Sequence, residues 1–206
     1  MRKCLLTVWC AVLALGTTVA RADVLVAGKT LTIKDNVTPT KKKVLFLSKD
    51  PTFAVGSLDP TAQGASLTLS SRGCTCFGPN QTFCFPKETS STWLMPALGW
   101  VSKKGAFSYK DKLLANGPVL SASIKNGQIK ISAKGSQIDY GLLNFPGQAA
   151  GVRVQFVVGS TPVCALFPGA QGSVKKDDPA KGVYTAGNAE APAACTDPVS
   201  FCQAAQ

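Results

Sequence analysis

The residues best suited to chemistry in this chain are its cysteines, carboxylates and large aromatics, because it contains no histidine. Imidazole is the side chain that most readily exchanges a proton near neutral pH, and it is a common zinc ligand. Its absence excludes Ser-His-Asp and Cys-His nucleophilic systems outright. It also leaves no side chain with an ordinary pKa that titrates between about pH 5 and 8.

Of the 8 cysteines, Cys4 and Cys10 fall near the start, leaving Cys74, Cys76, Cys84, Cys164, Cys195 and Cys202. Cys74-Thr75-Cys76 with Cys84 could be read as a metal site. Zinc sites separate paired cysteines by at least about two residues, and no imidazole is present to complete a set, so no metal is expected. The alternative is three disulfides. Gly78-Pro79-Asn80 should turn the chain and bring Cys76 to Cys84, with Cys74–Cys84 the competing pair. Cys164 is then assigned to Cys195, and Cys74 to Cys202.

The carboxylates give no catalytic pair. Glu88 and Glu190 are the only glutamates, both in proline-containing polar stretches. Asp35, Asp50, Asp59 and Asp111 sit beside turn residues or lysines, where carboxylates cap loops. Asp139, between Ile138 and Tyr140, reads as a solvent-facing strand residue. A histidine-free glycosidase would need two carboxylates facing across a cleft, and no spacing here sets such a pair. Ser173-Val-Lys-Lys176 has the spacing of a serine–lysine nucleophile, but its polar surroundings keep the lysines hydrated. Gly28-Lys29-Thr30 lacks the upstream glycine of a phosphate loop, since position 23 is Asp23. Trp93, Trp100, Tyr109 and Tyr140 are the remaining lead: exposed, they could stack on sugars; buried, they anchor a core. No catalytic residue and no cofactor is expected.

These groups need a frame. Arg2 and Lys3, the apolar run Leu5 to Leu15 and Ala20-Arg21-Ala22 read as an export signal over 1–22. The run is too short to cross a bilayer of about 30 Å, which takes roughly 20 residues. Trp9 before Cys10 is a poor lipid-attachment context, so a soluble secreted form, extracellular or periplasmic, is expected. Losing Arg2, Lys3 and Arg21 leaves 19 basic against 11 acidic residues, a net charge of +8. Such a surface suits an anionic or glycan partner. Nucleic acid is disfavoured, because base and phosphate readout leans on arginine and only Arg72 and Arg153 remain. The lysines look scattered, clustering only at Lys41-Lys42-Lys43, Lys103-Lys104 and Lys175-Lys176.

Period-two alternation dominates, so the elements are strands. Leu31 and Ile33, Leu67 and Leu69, and Val152 to Val158 alternate with polar residues, whereas Val44-Leu45-Phe46-Leu47 reads as covered on both faces. Asn126-Gly127 predicts a two-residue hairpin turn, pairing Ile124 with Ile129, Ala122 with Ile131 and Leu120 with Ala133. Gly159-Ser160 predicts another, pairing Phe156 with Val163, Val154 with Ala165 and Val152 with Phe167. That register turns Cys164 outward opposite Gln155, and Pro162 marks the returning strand as an edge. From Pro168 onward composition shifts to Ala, Gly, Pro and Lys, which predicts an irregular tail. Asn36-Val-Thr38 and Asn80-Gln-Thr82 match the glycosylation triplet in expected turns.

Gly28-Lys-Thr-Leu-Thr-Ile-Lys-Asp-Asn36, Tyr109-Lys-Asp-Lys112, Ala115-Asn-Gly-Pro118 and Ile124-Lys-Asn-Gly127, with the late Cys164 and Ala193-Ala-Cys195, resemble a recurrent, uncharacterised β-rich domain of exported bacterial proteins. The resemblance covers most of 24–195 and implies export and a β fold, with no catalytic residues. The expectation is therefore a signal at 1–22, an all-β domain at 23–167 and a disulfide-tied irregular tail at 168–206. The domain should be an antiparallel β-sandwich, with a partly closed barrel as the alternative. The expected role is non-enzymatic binding or structure, the alternatives being a carbohydrate-binding module built on exposed Trp and Tyr and a carboxylate hydrolase.

Overall fold

A computed structural model describes residues 23–56, 58–77, 83–141, 151–168 and 172–195, of which 72–77, 83–89 and 179 are described by their backbone alone. The expected signal at 1–22 lies outside the described residues. The strands are β1 (Val24–Leu25), β2 (Gly28–Lys34), β3 (Lys43–Lys49), β4 (Ala65–Phe77), β5 (Phe83–Met95), β6 (Trp100–Lys103), β7 (Ala106–Lys110), β8 (Val119–Lys125), β9 (Gln128–Lys134), β10 (Val152–Val158), β11 (Thr161–Phe167), β12 (Ser173–Asp178) and β13 (Val183–Ala189). One short helix, α1 (Pro60–Gln63), starts where the Asp59 carboxylate accepts the Thr61 N–H at 3.0 Å. Among the described residues, no helix is long and apolar enough to cross a membrane.

The strands form two sheets, ordered β1-β11-β10-β4-β5 and β12-β13-β2-β3-β9-β8-β7-β6. Neither closes into a barrel. Every pairing is antiparallel except the two-residue β1 beside β11. Alternate residues of both sheets enter one apolar layer: Leu31, Ile33, Val44 and Phe46 from one side, Leu67, Leu69, Val154 and Phe156 from the other. Phe46 meets Phe167 edge to face, with ring centroids 6.1 Å apart, and Trp100 lies 6.4 Å from Phe156, so aromatics stitch the sheets together. A Cβ on Gly28 would overlap the Phe167 ring, which is why this crossing point carries glycine.

The chain passes from one sheet to the other at Val26 and Ala27, and the step is braced by polar groups. Val26 N–H donates to the Cys164 carbonyl at 2.8 Å, and Ala27 N–H to the Asp50 carboxylate at 2.8 Å. The Ser48 hydroxyl donates to the Ala27 carbonyl at 2.7 Å. These bonds satisfy backbone groups that leave one ladder before entering the next.

The Gly159-Ser160 hairpin has the expected register throughout, from Val158 opposite Thr161 to Val152 opposite Phe167. The Asn126-Gly127 hairpin keeps it for Ile124–Ile129 and Ala122–Ile131, then departs. A bulge follows Val119, so Val119 rather than Leu120 lies opposite Ala133. The reason is burial: Val119 is buried and Leu120 only half-buried, and the extra residue swaps which of the two enters the core. Val44-Leu45-Phe46-Leu47 is covered on one face only, since Leu45 and Leu47 stay half-exposed. β11 is not an edge. β1 covers it at Val163 and Cys164, leaving Pro162, which has no N–H to offer, just beyond the pairing.

The largest correction concerns 168–206. Its described part contains β12 and β13, and β13 pairs along β2 from Val183–Lys34 to Ala189–Gly28. Tyr184, Ala186 and Ala189 are buried. After Val183, Tyr184 and Thr185 only small or polar residues follow; the alternation holds for Tyr184 and Ala186, then slips at Asn188, where φ is 54°, so that Ala189 is buried in its place. After β13, residues 190–195 run irregularly over the outer face of the five-stranded sheet. There Cys164 is disulfide-bonded to Cys195 with Cα atoms 5.6 Å apart, and Arg153 donates to the Cys195 carbonyl at 3.3 Å.

The Cys164–Cys195 bond closes a loop with a sequence separation of 31. In the chain-entropy model it contributes about 3 to 4 kcal/mol. Cys195→Ser should therefore lower Tm by roughly 6 to 12 °C. Hydrogen exchange should speed up at 190–195 while β13 stays protected by its ladder to β2; loss of protection across β13 would refute this division of labour.

Candidate functional site

On the eight-stranded sheet, each strand gives its buried positions to the core and must place its remaining side chains outward. Along β2, β3 and β6 through β9, every charged residue is a lysine, with no Asp or Glu among them. Register then gathers lysines that are far apart in sequence. Lys34 lies opposite Lys43, and Lys43 opposite Lys134, so three exposed ammonium groups stand side by side on neighbouring strands spaced about 4.8 Å apart. At the other end of the sheet Lys49 and Lys125 flank Gln128. Between them lie Lys130, Lys110 and the hydroxyls of Thr32, Ser121, Ser123 and Ser132.

Like charges directly opposite one another on a sheet are destabilising, so this row works against folding. Among the described residues, the lysines with a carboxylate within ion-pair distance are Lys42, 2.8 Å from buried Asp35, and Lys181, 3.5 Å from Asp178. Neither belongs to the row. The face is an open positive surface on which hydroxyls and the half-exposed Leu45 and Leu47 lie between the lysines, suited to an extended anion and unsuited to enclosing a small molecule.

Linear spacing hid this face. Of the sequence clusters, Lys42 turns in to Asp35, Lys103-Lys104 sit at the β6–β7 turn, and Lys175-Lys176 lie on the β12 edge. The usable signal was that lysine begins or ends β2, β3 and β9 at an outward position, and it becomes a row only once the pairing is known.

The aromatic lead is overturned. Trp93, Trp100, Tyr109 and Tyr140 are buried at 4%, 5%, 1% and 0% exposure, so none can stack on a ligand. Each instead satisfies its polar end or packs on a ring. Trp93 donates to Asp139 at 2.9 Å, Trp100 donates to the Met95 carbonyl at 3.2 Å, and Tyr140 donates to Ser71 at 2.8 Å. Tyr109 packs on Trp100 with centroids 5.5 Å apart.

The aspartates are structural. For Asp50, burial opposes ionisation, but the Thr52 hydroxyl and the Ala27, Thr52 and Phe53 N–H groups outweigh it and hold its pKa below the usual value. Asp111 is lowered chiefly by the Asn116 N–H, which closes the β7–β8 loop at 2.8 Å, and Asp59 by Thr61. Asp139 is exposed as expected but follows β9 in a non-strand segment, where it receives the Trp93 indole. Ser173 and Lys176 lie on β12 rather than a helix, and Gly28-Lys29-Thr30 lies within β2. Asn36 forms a turn with Thr38, and Asn80 lies outside the described residues.

Cys76 lies opposite Cys84 across the β4–β5 ladder, and Cys74 opposite Pro86. The side chains of these three cysteines, and Cys202 entirely, lie outside the described residues, as do the expected Cys76–Cys84 and Cys74–Cys202 bonds. A cleft of about 330 Å³, with Gln63, Ser66, Leu94, Pro96 and Val157 in its lining, presents no acid, base or thiol. Among the described residues, no group of three His, Cys, Asp or Glu is placed to hold a metal. No family model, no curated protein and no solved structure matches the chain.

Two outcomes test this description. Lys43→Thr, at the centre of the row, should raise Tm by about 1 to 2 °C at low salt, and the gain should vanish at about 1 M salt; an equal gain at both would show that repulsion is not its source. The pH dependence should be a plateau. Asp50, Asp59 and Asp111 have folded pKa values below the ordinary 3.8 of an aspartate, so their stabilisation is present above 3.8 and lost as pH falls below it. Burial raises Tyr140 and Tyr184 above 10.0, the latter aided by the Asp177 charge, so stability is lost as pH climbs past 10.0. Thermal melts should be flat between about pH 5.5 and 8; a shift of several degrees inside that window would reveal a strongly perturbed acid or lysine.

Proposed function

We propose that this is an exported, non-catalytic binding protein that holds a polyanion against the lysine face. The observation that carries the reading is the Lys34–Lys43–Lys134 row, a costly arrangement that an anionic ligand would relieve. Export is supported by the N-terminal pattern and by the Cys164–Cys195 disulfide, since such bonds persist in oxidising compartments. The resemblance to exported bacterial β-domains points the same way.

Recognition on such a surface is electrostatic and tolerant. Lysine is a mobile point charge that does not impose the bidentate geometry of arginine, and hydroxyls between the charges take up ligand oxygens. The arginine with a described side chain, Arg153, lies on the other sheet and donates to Ser70 and the tail. Ordered stacking or base readout has no residues to support it on this face, so a repeating sulfated, phosphorylated or carboxylated ligand is favoured.

Retention on dextran sulfate in a salt gradient tests the reading. Lys34→Ser/Lys43→Ser/Lys134→Ser should elute at markedly lower salt than Lys103→Ser/Lys104→Asn/Lys175→Ser, which removes the same charge away from the row. Equal shifts would reduce the binding to net charge and overturn the lysine face as the site.

A further inference from the structure

The row lies at one particular end of the eight-stranded sheet. β2 finishes there at Lys34, β3 begins at Lys43 and β9 finishes at Lys134. Because β8 pairs antiparallel with β9 and β7 with β8, the β7–β8 loop (111–118) opens at this same end. So does the entry to β6, since Trp100 lies opposite Tyr109. Three connections therefore lie along this end, spread over the strands from β2 to β6: the β2–β3 loop (35–42), the turn Ala97–Gly99 and the β7–β8 loop.

Each carries a largely exposed apolar side chain. Val37 is 81% exposed, Leu98 101% and Leu113 90%. Leu94 and Val101, also exposed, lie on β5 and β6, the strands that this turn connects. Scattered exposed aliphatics need no explanation, but three tips on three loops at one end do. Exposed lysines surround them: Lys41, Lys110 and Lys112, beside Lys34, Lys43 and Lys134.

The tips are also held out rigidly. The β2–β3 loop is pinned by the Lys42–Asp35 ion pair, by the Asp35 N–H bonded to the Gly182 carbonyl at 2.7 Å and by the Asn36–Thr38 turn. Leu98 precedes Gly99, whose missing Cβ lets the turn lie against the Tyr109 ring. The β7–β8 loop is closed by Asp111 accepting from Asn116, and Gln137 donates to the Leu114 carbonyl at 3.2 Å. Binding through braced loops forfeits little conformational entropy.

Building on the polyanion reading, we infer that the anion is the headgroup layer of a lipid bilayer, docked by this end. The lysines meet anionic headgroups while Val37, Leu98 and Leu113 enter the apolar boundary beneath. A soluble polyanion offers nothing to aliphatic tips. A protein partner would be met by a continuous apolar patch, whereas here lysines stand between the tips. Lysine suits this position because its aliphatic stem can lie along the apolar layer with its ammonium group in the headgroups.

Co-sedimentation of the full chain with vesicles decides it, using phosphatidylcholine alone and with roughly 30% phosphatidylglycerol. The protein should pellet only with the anionic vesicles. Val37→Ser/Leu98→Ser/Leu113→Ser should weaken vesicle binding by about 100-fold and leave elution from dextran sulfate unchanged. Lys34→Ser/Lys43→Ser/Lys134→Ser should lose both. Vesicle binding by the tip variant equal to that of the parent would overturn insertion. Parent protein that holds dextran sulfate but ignores vesicles would overturn the lipid assignment and leave the polyanion reading standing. Parent protein that binds neither would overturn both.

Discussion

Two sheets can share a dry layer only if every strand gives one face to it, and in this chain that requirement arranges almost everything else. The large aromatics are drawn inward because they fill the gap between sheets and can still direct an indole or phenol to a partner, as Trp93 does to Asp139 and Tyr140 to Ser71. The charged residues are driven outward for the same reason, and on the eight-stranded sheet they are nearly all lysine. The positive face is thus the complement of the core. Once the apolar registers of β2, β3 and β9 are set by burial, Lys34, Lys43 and Lys134 have nowhere else to stand.

The carboxylates show how the fold holds its connections. Asp50 gathers the Ala27 and Thr52 N–H groups where the chain changes sheets, Asp111 closes the β7–β8 loop, Asp59 starts α1 and Asp35 receives Lys42. These acids are committed to loops, which leaves β2, β3 and β6 through β9 with no carboxylate of their own. The same commitments keep the loops at the lysine-row end stiff.

Much of this architecture is legible in the residues. Alternation marks the strands, and Asn126-Gly127 and Gly159-Ser160 mark hairpins whose registers follow by counting outward from the turn. Counting fails where the chain inserts a residue, as at the bulge that exchanges Val119 for Leu120, because a bulge changes parity without any residue type that announces it. β13 was illegible for another reason: beyond Val183, Tyr184 and Thr185 it continues as Ala-Gly-Asn-Ala, which lacks the branched and aromatic residues that signal a strand, and the ladder offered by β2 decides its conformation. The aromatics could be assigned to surface or core only by knowing both sheets. The lysine face depends on strands far apart in sequence, so local composition shows its charges and conceals their adjacency.

The Cys164–Cys195 bond has a mechanical meaning beyond its effect on the unfolded chain. Tension entering from the C-terminal side reaches Cys195 and passes directly through sulfur to Cys164 in β11. Residues 165–194, with β12 and β13 among them, lie off that line and carry no load. The lysine-bearing sheet keeps its β13–β2 ladder outside the path of force, so a pull on the tail is borne by the five-stranded sheet while the positive face holds its shape.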